Sequence, residues 1–220
     1  MRSLELRELS FHYREEAPVL KDLSLCLTDE DRLALTGPNG SGKTTLFRVT
    51  MGLLKPQRGY IALDGKEISD DEDWRQLRRE VGMVFQDPDD QLFCPTLLED
   101  VAFGPMNMGI KRKEAGELSL STLRALGIEN LADRPPYSLS GGQKKLGALA
   151  TVLSMSPSFI LLDEPSAGLD DDAVERLITA LRNFSGGYLI ASHEPDFLRR
   201  VTSSEIKIGH PSYRGTNSMP

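Results

Sequence analysis

A glycine-rich segment, GPNGSGKT from Gly37 to Thr44, combines residue types that handle phosphate. It matches GxxxxGK[ST], a pattern in which small residues let successive backbone N–H groups turn inward around phosphate oxygens. The apolar run 33–35 predicts a buried strand before it, and residues 44–51 predict a helix whose positive N-terminal end faces the phosphates. We expect Lys43 to reach the terminal phosphates and the Thr44 hydroxyl to bind Mg²⁺. The alternative is a glycine-rich turn that only joins a strand to a helix.

Two adjacent carboxylates, Asp163 and Glu164, follow the apolar run 159–162. This run is too hydrophobic for a solvated edge strand, and Pro165 helps to end it because proline cannot donate to a strand ladder. We expect Asp163 to hold Mg²⁺ through its water shell. Glu164, where the chain leaves the strand, is the candidate to orient and activate an attacking water. An acidic pair at a solvated sheet rim is the alternative interpretation.

A third motif, LSGGQKK at residues 139–145, starts with a serine and two glycines. These residues predict a turn that opens a helix, since apolar residues recur at helical spacing after it, at positions 146, 149, 150 and 153. The N-terminus of such a helix attracts an anion. An ordinary capped helix without a ligand is the alternative.

The phosphate loop, LSGGQKK and FILLDEP occur in this order, and together they resemble only the ATP-binding-cassette (ABC) ATPases. The resemblance covers about residues 4–197 and implies that ATP and Mg²⁺ are the cofactors. It also implies that the helix opened by Ser140 lies far from its own phosphate loop and caps the γ-phosphate of ATP held by a second subunit. The expected working unit is a head-to-tail dimer, either of two copies or with a paralogous ATPase.

The resemblance also assigns roles to single residues. Tyr13 is expected to stack on adenine, Gln86 to touch Mg²⁺ or the attacking water, and His193 to lie on the γ-phosphate side; the alternatives are an exposed turn tyrosine and a packed or solvated histidine. His12 and His210 are predicted to be surface residues. The implied catalytic residues are Glu164, His193 and Gln86, the metal-binding residues are Thr44, Gln86 and Asp163, and the nucleotide-binding residues are Tyr13, Gly37, Pro38, Asn39, Gly40, Ser41, Gly42, Lys43, Thr44, Thr45, Ser140, Gly141, Gly142 and Gln143.

The stretches FQDPDDQLF (85–93) and EDVAFGP (99–105) resemble the ATPases of energy-coupling-factor and cobalt/nickel importers. We predict a shallow groove with apolar residues 92, 93, 101 and 103, which receives a short amphipathic helix of an integral-membrane subunit docking near Gln86 to Phe103. The alternative is that these side chains fill the core of their own subdomain. The implied function is ATP hydrolysis that powers uptake of a micronutrient, a cobalt or nickel ion or a vitamin.

Composition limits the classes of partner. A net charge of −7 over 220 residues provides no basic field for gripping nucleic acid, so we expect no nucleic-acid partner. No run of eighteen apolar residues occurs, and residues 1–10 are too charged for a secretory signal. We therefore expect a soluble protein held at the cytoplasmic face of the cell membrane by a partner. Cys26 and Cys94 fit a reducing compartment and ordinary packing.

The predicted fold class is α/β, a P-loop NTPase of the ABC nucleotide-binding type with an antiparallel β layer and an inserted helical subdomain. We expect one domain over 1–220, with the core at 1–86 and 159–208, the helical subdomain at 87–158 and a flexible tail at 209–220. Helices are predicted at 118–126 and at 171–183, the latter capped by Asp170. We expect the acidic run 69–73 to be a solvated loop, residues 201–220 to lack a strand pair, and Gly147 to weaken its helix by roughly 1 kcal/mol.

Other functions fit the sequence less well. A soluble ABC ATPase of chromosome maintenance would need a long coiled-coil insertion before LSGGQ, and a translation factor of this class would carry two cassettes. A nucleotide-binding module without hydrolysis is disfavoured because Glu164 and His193 are both present.

Overall fold

The chain builds two β-sheets whose strands have different sequence patterns. The structure, a computed structural model, describes residues 1–15 and 17–209. Its elements in chain order are β1 (Ser3–Arg14), β2 (Ala17–Thr28), β3 (Arg32–Thr36), α1 (Lys43–Thr50), β4 (Arg58–Leu63), β5 (Lys66–Glu67), α2 (Asp71–Glu80), β6 (Val81–Val84), α3 (Leu97–Asn107), α4 (Arg112–Ala125), α5 (Gly141–Leu153), β7 (Phe159–Asp163), α6 (Asp171–Asn183), β8 (Gly187–Ala191), α7 (Pro195–Val201) and β9 (Ser204–Lys207).

The central sheet is parallel, in the order β6-β7-β8-β3-β9. Its inner strands are mainly apolar because both of their faces are covered. In β7, Phe159 and Leu161 enter one hydrophobic core, which the sheet shares with α1 and the antiparallel layer. Ile160 and Leu162 enter a second core, which the sheet shares with α5 and α6. The sheet therefore separates two cores and presents its carboxyl ends at one edge.

The second sheet is antiparallel, in the order β2-β1-β4-β5. Leu4 of β1 pairs with Leu27 on one side and Leu63 on the other, and all three are buried. Alternating residues of β1 are buried and partly exposed, the pattern of a sheet with one face on a core. Together with the parallel sheet and the helices, this layer confirms the predicted fold class.

Residues 87–158 form helices α3, α4 and α5 and short 3-10 turns. Thr96 caps α3 by accepting a hydrogen bond from the backbone of Glu99 at 3.3 Å. Helix α4 starts at Arg112, six residues earlier than predicted. The prediction missed its first turns because they are charged and carry no apolar periodicity. Gly127 follows it in a left-handed conformation (φ 67°).

The prediction of a solvated loop at 69–73 is wrong. Asp70 is the N-cap of α2 and accepts a hydrogen bond from the backbone N of Asp73 at 2.8 Å, within a capping box. Carboxylates stabilise the first turn of a helix through its dipole, so an acidic run also marks a helix start. The Lys66 ammonium and the backbone N–H of Ser69 lower the pKa of Asp73 to about 2.

After residue 201, where a strand pair was predicted to be lacking, the described chain forms one strand, β9, which pairs in parallel with β3. In β9 only Ile206 is buried. Because this edge strand has four residues and one apolar position, its sequence shows little of the alternation typical of strands. The predicted tail and His210 lie outside the described residues, apart from Gly209. His12, predicted at the surface, is half-buried on β1. Within 1–15 and 17–209, every helix is too short or too polar to cross a bilayer.

Candidate functional site

A cleft of about 610 Å³ opens where the strands of the parallel sheet end and α1 begins. Ligands of open α/β sheets bind at this edge, because the loops after the strands converge there. The residues that line the cleft are Tyr13, Val19, Asn39, Gly40, Ser41, Gly42, Lys43, Thr44, Thr45, Gln86, Asp163, Glu164, Ala167 and His193.

The loop between β3 and α1 is shaped by Gly42, which caps α1 with a left-handed backbone (φ 98°). A Cβ at this position would lie only 3.0 Å from Val19 Cγ1 and 3.1 Å from Val19 O, so glycine is required by both conformation and space. Lys43, only 8% exposed, donates to the carbonyls of Gly37 at 2.8 Å and Pro38 at 3.2 Å. Gly37 and Pro38 thus hold the lysine rather than line the cleft.

Asp163 ends β7 and is 2% exposed. Burial raises the pKa of its carboxyl above the ordinary value, against the opposing effects of the Thr44 hydroxyl and the Lys43 and Arg48 cations. Its Oδ2 atom is buried without a hydrogen-bond partner in the described part of the chain. Mg²⁺ prefers hard oxygen ligands and completes its coordination with water and phosphate. The unpaired Oδ2 of Asp163 and the neighbouring Thr44 hydroxyl are oxygen ligands of this kind.

Glu164 has a left-handed backbone (φ 48°), which non-glycine residues seldom adopt. Its backbone N donates to Ala191 O at 2.8 Å, which ties it to the end of β8. The carboxylate meets His193 at two points: Oε1 lies 3.4 Å from Nε2, and Oε2 accepts from the His193 backbone N at 3.3 Å. The Glu164 carboxylate is therefore held on the cleft side of the sheet edge.

Tyr13 and Gln86 both line the cleft. Tyr13 is 58% exposed on β1, lies edge-to-face on Phe11 and places its hydroxyl 3.3 Å from Thr45 Oγ1. Gln86 is exposed two residues beyond the end of β6 at Val84. A recess beside the cleft is lined by Gln86 together with Thr44 and Asp163.

The start of α5 is not part of this cleft. Ser140 Oγ accepts from Gln143 N at 3.3 Å, and Gln143 Oε1 accepts from Ser140 N at 3.0 Å, which forms a capping box. Ser140 is exposed, and a Cβ on Gly141 would meet nothing within 4 Å in the described ranges. Nothing in that part of the chain therefore demands glycine at position 141.

Lys145 makes a contact that the sequence analysis missed. Its Nζ atom donates to the carbonyl of Glu164 at 2.8 Å and to that of Ala167 at 2.7 Å. Its only sequence signal was its place as the last residue of LSGGQKK, which gives no information on its distance from residue 164 in space.

The predicted groove near Gln86 to Phe103 exists in altered form. Phe93 and Phe103 are exposed and lie edge-to-face at 5.1 Å, and they border a cavity of about 240 Å³, which we call the outer groove. Leu92 and Val101 are buried in the core instead, so their predicted place in the groove is wrong. The reason is packing against α5, where Ser154 Oγ donates to Val101 O at 2.8 Å.

The outer groove also contains a buried acid, Asp100, which is 3% exposed. Its Oδ1 accepts from the backbone N of Phe93 and of Cys94, each at 2.9 Å. Its Oδ2 is buried without a partner in the residues that the structure covers. The groove is lined mainly by apolar side chains and encloses one buried carboxylate.

Comparison with known proteins identifies relatives of this arrangement. Residues 20–167 match the family described as ABC transporter. The energy-coupling factor transporter ATP-binding protein EcfA of Methanocaldococcus jannaschii is 40% identical over 199 residues, which cover 89% of this chain and 71% of that protein. The solved structure of cbiO1 from Clostridium perfringens, described as part of the ABC transporter complex cbiONQ, is 36% identical with a TM-score of 0.80, and the match covers 93% of this chain and 84% of that one.

A bacterial ABC transporter cassette solved as a dimer is 26% identical, with a TM-score of 0.81. The match covers 93% of this chain and 94% of that chain. The similarity therefore extends across both sheets and the helices of residues 87–158.

Proposed function

The chain belongs to the ABC transporter family of ATPases, and from this membership we propose that it powers an importer of the energy-coupling-factor type at the cytoplasmic face of the membrane. One observation carries the proposal of an active hydrolase. A single cleft contains the cation Lys43, the buried carboxylate Asp163 and, against His193, the carboxylate Glu164. Nucleotide binding alone would need only Lys43 and Asp163. The Glu164 carboxylate, held on the phosphate side, adds a base for hydrolysis.

ATP binding follows from the phosphate loop. The backbone N–H groups of residues 39–44 and the positive end of α1 would surround the phosphate oxygens, and Lys43 would neutralise part of their charge. Tyr13 presents an exposed ring at the wall of the cleft, where adenine can stack on it for about 1–3 kcal/mol.

Thr44, Asp163 and Gln86 would hold Mg²⁺, and the unpaired Oδ2 of Asp163 supports that assignment. When bound, the ion neutralises charge that develops on the phosphate oxygens. The chain's contribution is to supply oxygen ligands at fixed positions, because Asp163 lies at the end of a buried strand.

Hydrolysis is assigned to Glu164. As the oxygen of a water molecule bonds to the γ-phosphorus, the bond from that phosphorus to ADP breaks and the water proton passes to the Glu164 carboxylate. His193 holds that carboxylate through its backbone N–H and its imidazole, so the base stays aimed at the water.

The start of α5 is proposed to act on a second subunit. Exposed Ser140 and a glycine at 141 that nothing in the described chain requires support a contact outside this chain. A helix N-terminus attracts an anion, and the γ-phosphate of ATP in the opposing subunit would satisfy it. The partner is a second copy or a paralogous ATPase, and the dimeric relative supports such pairing.

The outer groove is the proposed site for the membrane subunit. Exposed Phe93 and Phe103 suit the apolar face of a short helix. The cargo we propose is a micronutrient, a cobalt or nickel ion or a vitamin. The reason is that FQDPDDQLF and EDVAFGP resemble stretches in the ATPases of importers that transport such solutes.

Uptake by the chain reconstituted in proteoliposomes with its membrane subunit tests this proposal. Phe93→Glu and Phe103→Glu should abolish copurification with the membrane subunit and ATP-driven uptake of labelled Co²⁺, Ni²⁺ or vitamin, while the isolated chain keeps its ATPase rate. Tyr60→Glu is the matched control, because Tyr60 is 44% exposed, Phe103 is 43% exposed, and Tyr60 does not line the groove. Unchanged uptake by the phenylalanine variants would place the docking site elsewhere, and an active complex that imports none of these solutes would contradict the cargo.

A further inference from the structure

We propose that Lys145 is a positioning residue that sets the orientation of the Glu164 carboxylate and makes it depend on the placement of α5. The inference rests on the proposed role of Glu164 in hydrolysis. Lys145 touches neither nucleotide nor water in this proposal, and it acts only through the backbone of residues 164–167.

The geometry of the contact is a clamp on a tight turn. Lys145 Nζ donates to Glu164 O at 2.8 Å and to Ala167 O at 2.7 Å, and Ala167 N approaches the same Glu164 carbonyl at 3.4 Å. One ammonium therefore joins the two ends of the segment that follows β7. Both acceptors are neutral carbonyls, and hydrogen bonds from a charged donor are stronger than those between neutral groups.

The clamp compensates for an unfavourable backbone. Glu164 has φ 48°, an unfavourable angle for a non-glycine residue, which persists only when the surrounding structure fixes it. The direction of its Cα–Cβ bond depends on that angle. Relaxation toward the ordinary region would rotate the carboxylate away from His193.

The environment of Lys145 favours a fixed rather than a solvated role. Its side chain is half-buried, and burial lowers the pKa of its ammonium, while the carboxylates of Glu164 and Glu194 act in the opposite direction. Long basic side chains usually keep their charged group in water. The Lys145 ammonium instead points inward onto two carbonyls, which indicates a structural role.

Lys145 also links two parts of the molecule. It lies five residues after Ser140 on α5, the helix whose start we assign to the nucleotide of a second subunit. A helix moves as a rigid element over such a distance, so a shift of its first turn moves Lys145 and with it the Glu164 peptide. Contact between the start of α5 and the nucleotide of a second subunit would thereby set the orientation of the Glu164 carboxylate in this chain.

Steady-state kinetics of Lys145→Met, Lys145→Arg and Lys144→Met test the inference. Lys145→Met should lower kcat for ATP about tenfold or more and leave KM within about twofold, as expected for losing a charged hydrogen bond needed only for the chemical step. Lys145→Arg should recover most of the rate, because a guanidinium can reach both carbonyls. Lys144→Met removes a charge from the same helix, where Lys144 pairs with Asp89 at 2.6 Å, and should behave as wild type.

A double variant separates positioning from general destabilisation. If Lys145 acts through Glu164, Lys145→Met should slow a Glu164→Gln protein no further, since the base it positions is already lost. Additive losses, or an unchanged kcat in Lys145→Met, would overturn the inference. A wild-type protein without ATPase activity would instead refute the proposed function, and a Lys145→Met protein that does not fold is replaced in the same cycle by Lys145→Gln.

Discussion

Helices α1 and α5 both begin in serine- and glycine-containing turns, yet their surroundings differ. At α1, Lys43 is 8% exposed and donates to two carbonyls of its own loop, and Gly42 is required by a left-handed φ and by the contact with Val19. At α5, Ser140 is exposed and a Cβ on Gly141 would meet nothing within the described residues. The same local physics attracts an anion at both helix ends. At α1 the site is completed by the chain itself, whereas at α5 the chain leaves it open.

This difference predicts which changes break chemistry and which break assembly. Variants in the cleft should act on a single chain, and variants at the start of α5 should act only when two chains meet. The predictions below test that division, starting with the largest expected effect.

Glu164→Gln should lower kcat for ATP by about 10²–10⁴, the range expected for loss of a general base, and should leave ATP binding intact. Phosphate release and nucleotide binding, measured on the same preparation, check both halves. Glu175→Gln is the control, because Glu175 lies on α6 and pairs with Arg200 outside the cleft. Turnover near the wild-type rate would remove Glu164 from its role.

Ser140→Arg should weaken the ATP-dependent dimer by roughly 10²-fold or more, because it removes a hydrogen bond to a charged phosphate and adds a bulky cation. Light scattering of the Glu164→Gln protein with ATP and Mg²⁺ should show a dimer, and the added Ser140→Arg change should leave a monomer. Ser121→Arg, on α4 beside the far end of α5, should still dimerise.

Two results would alter this view of α5. A Ser140→Arg protein that dimerises like its parent would show that the helix start is not an interface. If the Glu164→Gln parent stays monomeric at saturating ATP, the experiment is repeated with a paralogous ATPase, and failure with that partner as well would contradict the shared site.

Asp163→Asn should abolish Mg²⁺-dependent hydrolysis yet raise Tm of the metal-free protein. Burial raises the pKa of the Asp163 carboxyl, so the folded protein holds the charged form at a cost when the pH is neutral. As the pH falls through the raised pKa toward the ordinary value near 3.8, the carboxyl is protonated and the difference in Tm should shrink. A Tm lowered at neutral pH would show that the charge stabilises the fold.

The smallest predicted effect concerns two helix glycines. Gly147 of α5 was expected to weaken its helix by roughly 1 kcal/mol, but a Cβ there would lie 2.7 Å from Leu97 Cδ1. In Gly147→Ala, overpacking against Leu97 should cancel the gain in helix propensity, so the variant should not be more stable than the wild type. Gly116→Ala on α4, where a Cβ meets nothing within 4 Å, should gain roughly 1 kcal/mol in chemical denaturation. Equal stabilisation by both variants would show that α5 is not held closely against α3.

Features that depend on a few consecutive residues were predictable from the sequence. The phosphate loop between a buried strand and a helix follows from local backbone requirements, and α6 runs over the predicted 171–183 because Asp170 caps it and its apolar spacing is regular. The parallel core strands were visible as short apolar runs, since a strand covered on both faces has no polar side. In each case the signal and its cause lie within the same segment.

Tertiary structure decided what depends on residues distant in sequence. Phe93 and Val101 look alike as apolar residues, but packing against α5 buries Val101 and leaves Phe93 exposed. The clamp of Lys145 on Glu164, and the left-handed backbone that it compensates, arise from two segments 19 residues apart. Neither residue type carries that information, because a side chain's partner is set by how the helices dock on the sheet, and docking depends on the packing of the whole core.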